Sequence, residues 1–282
     1  MNVFSVDLEE WFHINDAKWL PRDKWLISSS RIEHNTEKLL GVLQSMNVRA
    51  TFFIMGWVVE HYPDLVRYID SFGHDIGYHS YHHLLPSTQS AREFEEDLTN
   101  GLNLIERHIV KRPIMYRAPN LSLDDTSLFA LPILLQNGIE ISSSTRSHRV
   151  VQGQTVPNSP FHWRFNGASL LEFPVNRLAI PSNPITFTGG GYFRVMPYFL
   201  LKPLFKSHSY NMAYFHPNDI DGEHPQDKQL GLIRNWMNSV GTSKCESKML
   251  ELLQDFHFSP LSEVKEFCIK EEMITQEVCI SI

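Results

Sequence analysis

The chain alternates short apolar runs, typical of buried β-strands, with longer segments whose apolar residues recur at helical spacing. Strands are predicted at 3–6, 50–54, 74–78, 113–116, 139–142, 170–175 and 211–215. Helices are predicted at 32–46, 63–72, 90–108 (opened by a capping box at Ser90), 124–136, 197–205, 229–237 and 248–256. Repeated strand–helix units imply a mostly parallel sheet, either a (β/α) barrel or an open doubly wound sheet.

Polar residues follow several of these strands. Asp7 and Glu9 follow the first strand, His79 the third, Arg117 the fourth and His216 the strand at 211–215. Barrel enzymes gather their chemistry at the carboxyl ends of their strands, so these five side chains are predicted to share one rim. No glycine-rich phosphate-binding motif follows the first strand, which argues against nucleotide binding there.

Composition narrows the class of protein. A chain of 282 residues, 42% of them apolar, is long enough for one domain with a substantial core. The net charge of −7 comes without a long basic block, so neither nucleic acid nor an anionic bilayer is an expected partner. No signal peptide or membrane-spanning run is evident, and the three cysteines lack CxxC spacing. We therefore expect a soluble, cytoplasmic protein.

The histidines and carboxylates suggest a metal site. Imidazole nitrogens and carboxylate oxygens are zinc ligands, and His79 and His83 lie a few residues apart directly after a predicted strand. Side chains alternate along extended backbone, so Asp7 and Glu9 can face the same way while Glu10 faces away. The alternative is that the acidic residues solvate a loop and the histidines are structural. The combination of both residue types favours a mononuclear site.

Three other features have a structural and a functional interpretation. Arg117 either forms a salt bridge at the rim or holds a catalytic carboxylate ionised and oriented. His216 either caps and packs or acts as a general acid. The glycine run at 189–191 is either a turn or a loop on which Tyr192 and Phe193 stack against a sugar ring.

At these residues the chain resembles the polysaccharide deacetylases with a NodB-type domain, carbohydrate esterase family 4. Within them it looks most like the cytoplasmic-type branch associated with exopolysaccharide gene clusters. Four motifs occur in the family's order, and the resemblance extends over about residues 1–267. The motifs are Ser-Val-Asp-Leu-Glu-Glu-Trp-Phe at 5–12, His-Ser-Tyr-His-His at 79–83, Arg-Ala-Pro at 117–119 and Tyr-Phe-His at 214–216, and the Gly-Gly-Tyr-Phe-Arg at 190–194 also fits this branch.

The resemblance implies a distorted (β/α)7 barrel, with a catalytic domain at 1–267 and a C-terminal tail at 268–282. It implies that Glu9, His79 and His83 bind one divalent metal ion, most simply zinc, and that Asp7 is the catalytic base. The expected reaction is removal of an N-acetyl group from an N-acetylhexosamine-containing poly- or oligosaccharide or its precursor, and the chain could meet a lipid-linked glycan peripherally.

In this scheme Arg117 keeps Asp7 ionised, His216 protonates the departing amine and the backbone N–H of Asn120 stabilises the oxyanion. A rim built from loops containing Trp163 and the segment at 189–194 would bind the sugar through Tyr192, Phe193 and Arg194.

Two positions depart from the family pattern. Asn120 stands where tyrosine is usual, and Ile141 stands where an aspartate that orients the catalytic histidine or arginine is usual. The alternatives are hydrolysis of a small cyclic amide or ureide, and a noncatalytic glycan-binding relative.

Overall fold

A mostly parallel sheet forms the centre of the molecule. The structure is a computed structural model and describes residues 1–13, 22–180, 185–225 and 231–282. Within these residues the strands are β1 (Asn2–Leu8), β2 (Thr51–Ile54), β3 (Asp75–Tyr78), β4 (Met115–Tyr116), β5 (Ile141–Ser142), β6 (Val150–Val151), β7 (Gln154–Thr155), β8 (Phe161–Phe165), β9 (Ala168–Glu172), β10 (Asn211–Phe215) and β11 (Gln276–Cys279). Nine of them form one sheet with the order β10-β1-β2-β3-β4-β5-β9-β8-β11, and β6 and β7 form a separate two-stranded hairpin.

Helices connect these strands and cover the outside of the sheet. They are α1 (Ile32–Ser45), α2 (Gly56–His61), α3 (Pro63–Ser71), α4 (Ala91–Glu106), α5 (Ala130–Gln136), α6 (Gly190–Val195), α7 (Tyr198–Ser207), α8 (Gly231–Ser239), α9 (Thr242–Asp255) and α10 (Leu261–Lys270). Short 3₁₀ turns lie at Arg22–Ile27, Pro86–Thr88, Pro119–Leu121 and Pro217–Ile220. None of the helices within the described residues is both long enough and apolar enough to cross a bilayer.

The fold is the predicted distorted barrel. Each neighbouring pair along β10-β1-β2-β3-β4-β5-β9 is parallel, while β8 runs antiparallel to β9. The side chain of Asn176 joins the ends of this series, because its Oδ1 accepts from the Met212 N–H at 2.7 Å and its Nδ2 donates to the Tyr210 carbonyl at 3.1 Å. A side-chain amide thus supplies hydrogen bonds that a strand ladder would otherwise provide.

Alternation along β1 separates the barrel interior from the outer layer. Val3 belongs to the smaller apolar cluster, together with Phe53 and Met115, whereas Phe4 and Val6 belong to the large cluster, which includes residues of most of the helices. Ser5 and Asp7 share the face of Val3, since side chains two apart on a strand point the same way. β1 therefore directs two polar side chains into the barrel toward its carboxyl end.

The C-terminal segment is part of the sheet and does not form the separate tail predicted for 268–282. The predicted boundary at 267 falls inside α10, whose Leu261 and Val264 belong to the same small apolar cluster as Val3. Beyond it, β11 pairs in parallel with β8, and Val278 is 1% exposed. Sequence reasoning missed β11 because an edge strand of four residues carries little periodic signal.

Most predicted elements are confirmed, with shifted ends. β10 has the predicted bounds, whereas the helix predicted at 124–136 is regular only over α5. The capping box at Ser90 is present at the start of α4. Residues 229 and 230 of another predicted helix lie outside the described residues. Sequence reasoning missed α2, α6, α10, β6, β7, β8 and β11, most of which are short.

Candidate metal-dependent active site

The five rim side chains predicted from strand ends do converge. Asp7 belongs to β1, Glu9 follows it, His79 follows β3, and Arg117 and His216 follow β4 and β10. Parallel strands end at one edge of the sheet, so register alone brings these backbones together. Side-chain contacts then join them into one cluster.

Arg117 holds Asp7 in place. Its Nη1 donates to Oδ1 of Asp7 at 2.7 Å and to Oγ of Ser5 at 2.9 Å, and its side chain has no exposed surface. Nε and Nη2 donate to the carbonyl and the hydroxyl of Ser143 at 3.1 and 2.9 Å. The guanidinium also lies 4.2 Å from the ring centroid of Phe53, so it is fixed from two sides.

These contacts set the charge of Asp7. Burial by itself raises the pKa of the Asp7 carboxyl, but Arg117, followed by His79 and His216, outweighs it, and the pKa is lowered. Asp7 is therefore ionised at neutral pH and able to accept a proton. The sequence allowed two interpretations of Arg117, a salt bridge at the rim and a group that orients a catalytic carboxylate. Both describe its contact with Asp7.

Glu9, His79 and His83 offer three donor atoms that lie within 4.8 Å of one another. Nδ1 of His79 lies 2.8 Å from the carbonyl oxygen of Arg117, which can only accept, so Nδ1 carries the proton and Nε2 has a free lone pair. Burial lowers the pKa of His79 to about 4, which keeps the imidazole neutral. A neutral, oriented imidazole is the form that binds a metal.

The carboxylate of Glu9 completes this set. Oε2 of Glu9 is buried and makes no hydrogen bond of acceptable geometry, although Nε2 of His83 lies 2.8 Å away. Burial raises the pKa of Glu9, but His83, His216 and His79 together lower it. Two ligand atoms of one tetrahedral zinc ion are about 3.3 Å apart. Oε2 of Glu9 and Nε2 of His83 are close to that separation, and the Glu9 oxygen has a lone pair available, so the two atoms could bind the same cation. The residues fit a divalent metal, and the metal's identity is a proposal.

The loop that carries the two histidines is held by a residue that sequence reasoning missed. Asp97 of α4 accepts hydrogen bonds from the Tyr81 N–H at 3.0 Å and the Tyr78 hydroxyl at 2.8 Å. Ser80 and His83 have φ values of 62° and 57°, in the left-handed region that non-glycine residues seldom adopt. Buried anchoring by Asp97 offsets the strain of a loop that turns His83 back toward Glu9.

His216 faces the cluster through one nitrogen and is held through the other. Nε2 lies 3.3 Å from Oε1 of Glu9 and 4.0 Å from Oδ2 of Asp7, and Nδ1 lies 3.2 Å from Oδ2 of Asp219. Burial alone lowers the pKa of His216, but Asp219, then Glu9 and Asp7, raise it to about 9. The imidazole is therefore protonated at neutral pH, as a general acid requires.

Sequence reasoning also did not identify Asp219, although its spacing from His216 could have indicated the contact between them. It lies three residues after His216 and accepts from the His216 backbone N–H at 2.8 Å, as in a capping box. Arg194 pairs with the other oxygen of Asp219 at 3.1 Å and donates to the carbonyls of Met237 and Asn238. The structure thus uses Arg194 to hold Asp219, which corrects its predicted role as a direct substrate ligand.

Two aromatic residues of the predicted sugar-binding rim are placed elsewhere. Phe193 has no exposed surface and packs edge-on against Phe215 at 4.9 Å, so it cannot stack on a sugar. Trp163 is equally buried, lies in β8 and donates to Glu172 at 3.1 Å. Tyr192 is 45% exposed and stays a candidate. Periodicity in a short segment did not indicate which aromatic side chain faced the core.

The glycine run has a steric explanation. Gly189 forms a bridge with Tyr214, and a Cβ at Gly189 would lie 1.8 Å from the Tyr214 carbonyl oxygen. The second residue, Gly190, has φ +56°. The run therefore allows close backbone approach beside His216 and leads into α6 rather than forming a simple turn, and the permissive backbone angle expected of a turn is present at Gly190.

Asn120 and Ile141, the two departures from the family pattern, have different surroundings. Asn120 is exposed with φ 58°, in the 3₁₀ turn that follows Arg117. Ile141 is buried in the small apolar cluster, and its side chain has no charge with which to orient a catalytic residue. Ser5 and Ser143 hold Arg117, and Asp219 holds His216, so the orienting contacts expected of the missing aspartate come from other residues.

Glu10 faces away from the site, as alternation predicted, and it makes contacts that the sequence did not indicate. Its carboxylate accepts from the N–H groups of Arg31 and Ile32, at 2.9 and 3.1 Å, and from the hydroxyl of Ser30. It therefore caps the start of α1 and fixes the chain just beyond Glu9.

Parts of the chain are similar to known proteins. The family model described as polysaccharide deacetylase matches residues 23–134, and a domain of unknown function, DUF3473, matches residues 142–266. A peptidoglycan-N-acetylglucosamine deacetylase of Bacillus cereus is 34% identical over 90 residues, covering 32% of this chain and 42% of that protein. A peptidoglycan-N-acetylmuramic acid deacetylase of Bacillus subtilis is 32% identical over 84 residues, covering 30% and 32%. The match spans less than half the length of either relative.

Solved structures show the same fold. One from Mycobacterium smegmatis, named as a polysaccharide deacetylase, has a TM-score of 0.65 at 17% identity and covers 98% of this chain and 92% of its own. A CE4-family pseudoenzyme from Bacillus anthracis has a TM-score of 0.51 at 13% identity, with coverage of 100% and 69%. The family model assigns residues 23–134 of this chain to the polysaccharide deacetylase family, and the fold of the whole chain is that of a solved structure named as a polysaccharide deacetylase.

Proposed function

We propose that this chain is a metal-dependent carbohydrate N-deacetylase. The observation that carries the proposal is the placement of the Asp7 carboxylate and the His216 imidazole beside one cluster of metal-type donors. Their Oδ2 and Nε2 atoms are 4.0 Å apart, and Nε2 of His216 is 3.3 Å from Glu9. A base and an acid side by side are what amide hydrolysis requires, because one proton must leave water and another must reach the amine.

A divalent ion, proposed to be zinc, would be held by Glu9, His79 and His83. When bound it would polarise both the acetyl carbonyl and the attacking water. The protein's contribution is to present a carboxylate and two imidazoles to the ion, with the His79 ring held in its neutral form.

Asp7 would accept the proton of the attacking water. Its contact with Arg117 keeps the carboxylate ionised, and the contact of Arg117 with Ser143 fixes its orientation. The backbone N–H of Asn120 is proposed to stabilise the developing oxyanion. This role needs only a backbone donor, so it does not require the family's tyrosine.

His216 would then donate its proton to the nitrogen of the sugar as the C–N bond breaks. Its pKa near 9 supplies that proton at neutral pH, and Asp219 holds Nδ1 so that Nε2 faces Asp7 and Glu9. The products are acetate and a sugar with a free amine.

The proposed substrate is an N-acetylhexosamine-containing oligosaccharide or its precursor, including a lipid-linked one, used in the cytoplasm during exopolysaccharide synthesis. The named relatives act on N-acetylglucosamine or N-acetylmuramic acid in peptidoglycan, which supports an N-acetylated sugar. Tyr192 remains on the proposed rim as an exposed aromatic residue for stacking.

The test is acetate release from a panel of N-acetylated mono- and oligosaccharides by the zinc-loaded chain, with cyclic imides and ureides as a second panel. Asp7→Asn should lower release about 10²-fold or more, while Asp64→Asn, which changes a carboxylate whose side chain is 89% exposed, should not. Release from sugars supports the proposal. Hydrolysis confined to cyclic amides, or no hydrolysis of either panel by metal-loaded protein, contradicts it.

A further inference from the structure

Three arginines cluster next to the barrel rim and have no role in the chemistry above. Arg146 and Arg149 follow β5, and Arg177 follows β9. Arg146 forms a parallel bridge with Val175, and the Arg177 N–H donates to the Ser147 hydroxyl at 2.9 Å. These contacts place Arg146 and Arg177 on adjoining segments that extend two neighbouring strands at their carboxyl ends.

The positive charge of this cluster has little compensation. Arg149 donates to the Leu123 carbonyl at 2.7 Å and lies 3.9 Å from a carboxylate oxygen of Asp124. In the part of the chain that the structure describes, Arg146 and Arg177 form no ion pair, and Nε of Arg177 is buried without a hydrogen-bond acceptor. Both arginines are only partly exposed, so two guanidinium groups without a carboxylate partner among the described residues lie partly buried at this edge of the barrel.

The guanidinium groups also lie close enough to repel one another. Burial lowers the pKa of Arg177, and the charges of Arg146 and Arg149 lower it further. Burial likewise lowers the pKa of Arg149, with Arg146 as the next cause. An arrangement that brings like charges together raises the free energy of the unliganded protein, and an anion bound among them would lower it.

The cluster adjoins the active site through Tyr214. Burial raises the pKa of Tyr214 to about 12, and Arg146 is the largest influence opposing that rise, so its charge lies near the phenol. The ring of Tyr214 in turn stands edge-on to that of His216, with centroids 6.0 Å apart. The arginines therefore flank the side of the site where His216 lies.

We propose that Arg146 and Arg177, with Arg149 adding charge, bind an anionic group of the substrate beside the reacting sugar. Planar guanidinium groups form paired hydrogen bonds with the oxygens of phosphate and carboxylate. The group is a phosphate on the sugar or its carrier, or the carboxylate of an acidic sugar. Its assignment to a sugar substrate rests on the proposed deacetylase function, whereas anion binding itself does not.

Anion binding is measured first, without turnover. Isothermal titration calorimetry on the full chain in a chelator-containing, low-salt buffer uses inorganic phosphate and glucuronate as separate probes. Each of Arg146→Gln and Arg177→Gln should weaken binding of the preferred probe about ten-fold, because each removes a charge-assisted hydrogen bond. Arg177→Lys should lose less, and added salt should weaken wild-type binding.

The control is Arg92→Gln, which removes one arginine charge from α4. The Arg92 side chain is 87% exposed and pairs with Glu96, so affinity should not change. Preference for phosphate indicates a phosphorylated substrate or carrier, and preference for glucuronate indicates an acidic sugar. Absence of binding by both probes, or equal affinity in wild type, Arg146→Gln and Arg177→Gln, overturns the subsite.

Turnover then connects the subsite to catalysis. With matched neutral and anionic N-acetylated sugars, both variants should lower kcat/KM for the anionic sugar about ten-fold and leave the neutral one unchanged. Equal losses on both sugars contradict a subsite for the substrate. Variant-sensitive anion binding in a protein that deacetylates nothing supports the subsite while refuting the proposed function.

Discussion

Replacing Asp219 with asparagine tests whether this carboxylate sets the protonation state of His216. Oδ2 of Asp219 lies 3.2 Å from Nδ1 of His216, whose side chain is 22% exposed. Burial lowers the pKa of His216, yet Asp219, with smaller contributions from Glu9 and Asp7, raises it from 6.5 to about 9. Asparagine retains an acceptor oxygen but removes the charge, so the pKa should fall toward or below 6.5.

The magnitude follows from linkage between protonation and folding. A rise from 6.5 to about 9 corresponds to about 3 kcal/mol, at about 1.36 kcal/mol for each unit of pKa. Because the folded pKa is the higher one, this stabilisation is complete below pH 6.5 and is lost as the pH rises through about 9. In the metal-free protein, Asp219→Asn should therefore be most destabilising at acidic pH, by up to about 3 kcal/mol, and least destabilising above pH 9.

The direct assay is a titration of the His216 ring protons by NMR in the metal-free full chain, assigned with His216→Gln. Asp221→Asn is the matched control, because Asp221 lies two residues away but pairs with Arg31 and Asn35. The reasoning is refuted if the pKa of His216 in Asp219→Asn stays within about 0.5 of the wild-type value, or if Asp221→Asn moves it equally.

Three further outcomes are expected. Reconstitution with zinc should give about one metal per chain, and His79→Ala and His83→Ala should each reduce that value sharply, as measured by elemental analysis. Asp7→Asn should retain the metal but lose about 10²-fold or more in acetate release, because an amide does not accept the water's proton. Glu10→Ala should lower the free energy of unfolding by about 1–2 kcal/mol in urea titrations, because three hydrogen bonds at the start of α1 lose their acceptor.

The metal and stability predictions have matched controls here, and Asp64→Asn is the control for Asp7→Asn. His34→Ala changes an exposed histidine of α1 and should leave the metal content unchanged. Glu33→Ala removes an exposed carboxylate from the first turn of the same helix, and its effect on stability should be smaller than that of Glu10→Ala. Full metal content in both His79→Ala and His83→Ala would contradict the ligand assignment, and a wild-type rate in Asp7→Asn would contradict its role as base. Equal stability of the two glutamate variants would contradict the cap.

The sequence by itself determined the strand–helix alternation and the rim location of the reactive residues. Apolar runs define where strands end, and in a parallel barrel those ends share one edge, so Asp7, His79, Arg117 and His216 could be placed together without coordinates. Alternation along β1 likewise separated Asp7 from Glu10 correctly. These are local properties, readable from periods of two and 3.6 residues.

Only the tertiary structure decided which groups tune that site. Ser143 contacts Arg117, and Asp97 contacts the histidine loop, in each case from a segment distant in sequence. Local periodicity does not indicate such contacts. Phe193 faces the core because α6 packs its side chain on Phe215, whereas the neighbouring Tyr192 remains exposed. Arg146 and Arg177 lie 31 positions apart in the chain, and they become one charged surface only because β5 and β9 are neighbours in the sheet. Pairing between strands that are distant in sequence depends on the whole fold, so the local pattern of apolar and polar residues does not predict it.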